Sequence, residues 1–187
     1  LNIGKAGDGA ATVLDPGDIN WNFSGTTATS LVFNASSSIC PNSTCSTNTS
    51  TFNYVPTGVV SVNVIPADYY NLGVGTSVDT GAGHGFFLTA LTTVKNVLTV
   101  GNSGSTNTDI LSTTGSDYDL DVGFLVITSK GSLTANGSTI TIRSGGMTND
   151  GTFTRGTSTV SVAPDTPGTV TLDGTSGIDF YNFTSTA

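Results

Sequence analysis

From residue 117 onward, apolar and polar residues alternate in short bursts. Thr139-Ile140-Thr141-Ile142 and Thr159-Val160-Ser161-Val162 are the clearest. A period of two is the mark of a strand with one buried face. The pattern predicts strands over 117–122, 124–128, 131–135, 138–143, 151–154, 157–163, 168–173 and 178–184. Their inward residues would be Leu133, Ile140, Ile142, Phe153, Val160, Val162, Val170, Leu172, Ile178 and Phe180, with Thr and Ser facing water. Gly or Asn-Gly separates most of these pieces. Asn136-Gly137 alone reads as a hairpin turn. Strand-turn-strand units of this length, repeated so regularly, also fit the rungs and corners of a β-helix.

Upstream the same signal is looser. Strands are expected over 51–55 and 59–65, split by Pro56-Thr57-Gly58, and over 86–94 and 97–100. Three shorter pieces, 11–14, 20–24 and 29–34, precede them, with Asp15-Pro16-Gly17-Asp18 as a strong turn. Residues 35–50 are a Ser/Thr/Asn-rich loop. One phrase occurs twice. Ser-Thr and a β-rich run, a Pro/Gly turn and a second β-rich run end on Tyr70-Asn71-Leu72, and again on Tyr181-Asn182-Phe183, 111 positions later. Self-similarity of this kind points to a repeat architecture, in which units bury their apolar faces against one another.

Composition sharpens the fold expectation. All 13 acidic residues are Asp, and the chain has no Glu and no Gln. Lys and Arg together number five. The residues that lose least on entering a helix are therefore scarce, while Thr and Val suit a pleated surface. The expected fold is all-β with almost no helix: a β-solenoid, a β-helix-like stack of short strands, with a β-sandwich as the alternative. The 187 residues suit one elongated domain, 1–187, with sub-modules 1–72 and 73–187 and an insertion at 35–50. The net charge of −8 argues against nucleic acid, which needs clustered cations, and against an anionic membrane surface. No apolar run approaches the ~20 residues of a membrane span.

Candidate chemistry is sparse. Cys40 and Cys45 frame CPNSTC, a spacing that suits a small disulfide loop, with free thiols as the other reading. A disulfide would place the chain in an oxidising, extracellular setting. Asp117, Asp119 and Asp121 alternate, so on a strand their carboxylates would share one face. That stripe is either simply solvated or a calcium site; no other cofactor is expected. His84, between two glycines, is read as a loop histidine without a catalytic role. Thirteen Asp residues offer many carboxylate pairs and no means of choosing one, so no enzyme is expected. Glycosylation sequons begin at Asn22, Asn34, Asn42, Asn48, Asn136 and Asn182; Asn34, Asn42 and Asn48 flank the cysteine loop and would be the accessible ones. The aromatic residues Trp21, Phe23, Tyr54, Tyr69, Tyr70, Phe86, Phe87, Phe180 and Tyr181 are read as core, with a sugar-binding platform as the rival reading.

The run from Gly131 to Val162, GSLTANGSTITIRSGGMTNDGTFTRGTSTVSV, with Phe180-Tyr181-Asn182-Phe183-Thr184 beyond it, resembles the β-strand repeats of very large secreted and cell-surface proteins of bacteria. The likeness is good over 117–184, fair over 50–100 and poor over 1–49. It implies a β-solenoid in a surface fibre or adhesin. The expected function is a structural subunit of an extracellular filament or cell-surface fibre, with copies of itself as partner. An adhesin or carbohydrate-binding module, touching glycans or a host surface, is the alternative. Assembly would run head to tail, Phe180, Tyr181, Asn182 and Phe183 of one copy meeting Leu1, Asn2 and Ile3 of the next through open strand edges.

Overall fold

The computed structural model describes residues 2–3, 13–14, 20–24, 32–33, 38–39, 49–56, 61–77 and 83–186. Among these there is no helix, and every strand pairing is parallel. The short strands β1 (Asn2–Ile3), β2 (Val13–Leu14), β3 (Asn20–Phe23), β4 (Val32–Phe33), β5 (Ser38–Ile39) and β6 (Thr51–Tyr54) open the series. They are followed by β7 (Ser61–Val64), β8 (Asp68–Val74), β9 (Gly85–Leu88), β10 (Thr92–Val100), β11 (Asp109–Ser112) and β12 (Leu120–Ile127). The series ends with β13 (Gly131–Thr134), β14 (Thr139–Asn149), β15 (Thr152–Thr154), β16 (Thr159–Val162), β17 (Leu172–Asp173) and β18 (Asn182–Ser185).

One sheet runs β18-β16-β14-β12-β10-β8-β6-β3, with β17 also on β14, and a second runs β15-β13-β11-β9-β7. The long strands β10, β12 and β14 shift register midway, at Val94/Val97 and Val122/Phe124 among other places. Each turn of chain therefore has three arms: the front and rear halves of a long strand, and a strand of the second sheet. The result is a parallel β-solenoid of about five turns.

Register explains the core. On the rear arm Phe52, Leu72, Leu98, Leu125, Met147 and Leu172 lie over one another. Val62, Phe86, Leu111, Leu133 and Phe153 stack on the second sheet. Tyr69, Val94, Val122, Ile142 and Val162 form a column on the front arm. In a parallel stack, alternate residues of every strand point inward, so matching apolar residues meet rung upon rung. Successive members of the rear column are 20, 26, 27, 22 and 25 positions apart, so rungs vary in length while the arms keep register. Of the expected inward residues, Leu133, Ile140, Ile142, Val160 and Val162 are buried, and Phe153, Val170, Leu172, Ile178 and Phe180 pack half-buried against them.

Corners repeat as well. After the rear arm, the N–H of Gly75, Gly101, Thr128 and Asp150 donates in turn to the carbonyl of Tyr54, Val74, Val100 and Ile127. Gly101, buried at φ +77°, backs onto Gly131 of the next rung, and a Cβ on it would stand 2.6 Å from the Gly131 Cα.

Several expectations are corrected. Parallel pairing excludes the antiparallel sandwich. Asn136-Gly137 is a rung corner: Asn136 takes a φ of 49°, but the strands on either side, β13 and β14, belong to different sheets. The apolar run 86–94 is two strands, because Thr89-Ala90-Leu91 turns a corner and leaves Leu91 exposed. Within the expected loop 35–50, Ser38–Ile39 pairs with Val13–Leu14. The twice-used phrase is not the structural period. Asn71-Leu72 pairs on a rear arm with Thr51-Phe52, whereas Asn182-Phe183 pairs on a front arm with Thr159-Val160. Similar short strands fit either arm, since both offer an apolar column to stack on.

Candidate functional site

The acidic triplet is knitted into the stack. Asp117 lies in a turn ahead of β12, at φ 54°, and its Oδ1 accepts from the Gly137 N–H at 2.7 Å. Asp119 Oδ1 accepts from the Thr139 N–H at 2.7 Å. Asp121, on β12, takes Arg143 in a two-pronged pair, Nε at 2.9 Å and Nη2 at 2.6 Å. That hydrogen bond, above all, raises the guanidinium pKa. Asp119 and Asp121 flank buried Leu120 and share the outward side, Asp117 stands off the strand in the turn, and each carboxylate reaches a donor on the following rung. Among the described residues, no three His, Cys, Asp or Glu side chains gather as a metal site. Cys40, Cys45, Asn34, Asn42, Asn48 and Leu1 lie outside the described residues.

His84 is not a loose loop residue. It is 4% exposed and sits just ahead of β9, with its Nδ1 2.8 Å and its backbone N 2.9 Å from Oδ1 of Asp109, itself 1% exposed. Asp109 opens β11, so the pair ties the starts of two neighbouring rungs. The Gly75 position has no room for a side chain because the Asp109 carboxylate fills it. The sequence held a signal for this pair only in retrospect: the two residues are one rung, 25 positions, apart.

Of the aromatic residues expected in the core, Phe23, Tyr54, Tyr69 and Phe86 are buried there and Trp21 and Phe180 pack against it, whereas Tyr70 and Phe87 are half-buried on outward positions and Tyr181 is 56% exposed. Trp21, Phe23, Phe52 and Tyr54 stack with ring centroids 5.7–6.5 Å apart, and Tyr69 meets Phe52 edge-on at 5.6 Å. They form no outward platform.

Two surface features stand out. The first is the edge at β18. Asn2 and Ile3 pair with Val32 and Phe33 in a separate two-stranded sheet. Among the described residues β18 pairs only with β16, and all four of its residues are exposed. The N–H groups of Asn182 and Thr186 donate back to Ser158 and Val162. In a parallel ladder donors alternate sides, so those of Phe183 and Ser185 point away from the stack. Phe183 caps the column of Leu120, Ile140 and Val160 while remaining 49% exposed. Phe180 packs half-buried between Phe153 and Phe183, and Tyr181, 56% exposed, has the Arg155 guanidinium 6.0 Å from its ring centre. Beside the edge, Val162, Pro164, Val170, Leu172 and Phe183 line an apolar cavity of about 270 Å³.

The second is a groove of about 210 Å³ on the outer face of the rear arm. Thr51, Asn53, Asn71, Thr76, Val97 and Thr99 line it, with Gly73 at its floor. Gly73 interrupts an outward column that otherwise carries side chains, Asn53, Thr99, Val126, Thr148 and Asp173, and the Asn53 and Thr76 side chains fill the space a side chain there would take. Side chains hold its walls. Asn53 donates to Asn22 at 2.9 Å and accepts from Thr76 at 3.2 Å. Asn71 donates to Thr51 at 3.2 Å and accepts from Asn96 at 2.9 Å. No local pattern announces it, because a groove depends on which rung lies over which.

The fold defines the class: a parallel β-solenoid protein of about five turns. Neither a protein-family model, nor a curated protein, nor a solved structure matches the chain.

Proposed function

We propose that this chain is a structural segment of an extracellular filament or cell-surface fibre that grows by strand addition, one copy stacking on the next. The carrying observation is the β18 edge, where an apolar column and a row of outward N–H and C=O groups meet solvent together. Such an edge templates a further strand. The strand it suits is one of this chain's own kind: parallel, short, and apolar at the position over Phe183. A contact between unlike ends does not close on itself, so it yields a fibre. The scarcity of charge, with only 10% of residues charged, supports close stacking of copies. No residue carries chemistry in this proposal, and calcium is no part of it.

Proline at position 185 separates the edge from the fold. Ser185 is exposed and its N–H faces outward, so Ser185→Pro leaves the pairing with β16 intact while removing an outward donor; edge strands tolerate such a proline. The wild-type protein is expected to pellet as polymer at high concentration and Ser185→Pro to stay in the supernatant with an unchanged β-type circular dichroism spectrum. Equal pelleting of the two proteins would remove β18 from the assembly.

A further inference from the structure

We infer that Asn136 is a latent deamidation site, held shut by the neighbouring rungs and opened when they part. Asn136-Gly137 is the one Asn-Gly pair in the chain. Deamidation begins when the backbone nitrogen of the following residue attacks the Asn Cγ. A glycine there has no side chain to shield that nitrogen. The new N–Cγ bond closes a cyclic imide as the Cγ–Nδ2 bond breaks, and the side-chain nitrogen leaves as ammonia with the backbone amide proton. Water then opens the imide to aspartate or isoaspartate. In the stack each participant is occupied. The Gly137 N–H donates to Asp117 Oδ1 at 2.7 Å. A carboxylate so placed opposes loss of the amide proton, without which the nitrogen is no nucleophile. The departing nitrogen is held as well: Asn136 Nδ2 donates to Thr113 Oγ1 at 3.1 Å and to Ser112 Oγ at 3.3 Å. The Asn136 carbonyl accepts from the Thr157 N–H at 2.7 Å, which resists the turn of the peptide group that ring closure needs. Ser112, Thr113 and Asp117 come from the rung before and Thr157 from the rung after, so the lock exists only while the stack does. The product restacks poorly. An acceptor replaces the donor that faced Ser112 and Thr113, and a second carboxylate stands beside Asp117. Deamidation at Asn136 thus records that this corner has opened. The inference does not rest on strand addition at β18.

Peptide mapping by mass spectrometry tests it, reading at Asn136 the mass gain that replacement of NH2 by OH brings. The purified protein is incubated at mildly alkaline pH, well below its Tm, beside a synthetic peptide of residues 131–141 in which no rung is stacked. Asn136 of the folded protein is expected to deamidate at least about tenfold more slowly than the peptide, the scale of one charge-assisted hydrogen bond. Asp117→Gly removes the carboxylate and places at φ 54° the residue that adopts it without strain. It is expected to deamidate about tenfold faster than wild type. Asp117→Asn keeps an acceptor for the Gly137 N–H and also tolerates that φ, so it is expected to restore most of the protection. Asp119→Ala removes the matching bond to the Thr139 N–H and is expected to leave the rate at Asn136 unchanged, which separates the guard from a general loosening of the stack. Circular dichroism checks that the variants fold; should Asp117→Gly not fold, wild type against peptide and Asp119→Ala still decide. Wild type as fast as the peptide, Asp117→Gly as slow as wild type, Asp117→Asn as fast as Asp117→Gly, or acceleration by Asp119→Ala each overturns the inference. None of those results bears on pelleting, so the filament proposal stands or falls separately.

Discussion

Tyr54, Tyr69 and Ile65 close a ring of three hydrogen bonds inside the stack. The Ile65 N–H donates to the Tyr54 hydroxyl at 3.2 Å, and the Tyr69 hydroxyl donates to the Ile65 carbonyl at 2.7 Å. With that proton committed, Tyr54 donates to Tyr69 across 3.1 Å. Burial raises the pKa of both phenols, Tyr69 well above its usual value, where the neighbouring Tyr54 adds to the effect. A raised pKa in the folded state means stability that is complete below the ordinary phenol value of about 10 and lost as pH climbs beyond it. Spectrophotometric titration is therefore expected to show Tyr54 and Tyr69 ionising only together with loss of the β signal; ionisation of these two phenols in a fully folded protein would contradict the buried ring. Tyr69→Phe leaves the Ile65 carbonyl without that donor, at a cost of about 1–2 kcal/mol, read as a fall of roughly 3–6 °C in Tm.

At the scale of the element, strands were readable and corners were not. Strand β16 shows why: Val160 and Val162 alternate with Thr159 and Ser161, and period-two alternation is a local property of the chain. A corner is defined by the rung above it. Leu91 looks like strand by composition, yet it turns outward because Phe86 and Leu88 stack on one arm and Val94 on another. The same limit hid the candidate sites. The Asp117 to Asp121 spacing was visible, but the donors that take each carboxylate come from residues 20 to 22 positions on, and the Gly73 groove is assembled from three rungs. Corner glycines make this dependence measurable. Gly101→Ala adds a Cβ against Gly131 at a left-handed φ, a combination of backbone strain and collision. It is expected to destabilise by at least about 2 kcal/mol, whereas Gly115→Ala, with open space around it, is expected to stay within about 0.5 kcal/mol of wild type. Equal denaturation midpoints for the two variants would mean that the corners do not stack as described.

At the scale of the whole molecule, the solenoid is a stack whose rungs each bury one face on the rung before and offer the other to the rung after. Inside the chain that offer is taken up again and again, from β3 through to β16. At β18 it is exposed, with Phe183 above the Val160 column and two donors directed outward. The proposed polymer rests on that one surface; the groove beside Gly73 is a separate feature of the flank. Fibre diffraction of concentrated, aligned protein tests the stacking of copies most directly. Continuous stacking predicts filaments with a sharp reflection along the fibre axis at about 4.8 Å, the spacing of hydrogen-bonded strands, and loss of the filaments in Ser185→Pro. Dispersed particles of monomer size at the highest concentration reached, with no axial reflection, would contradict it.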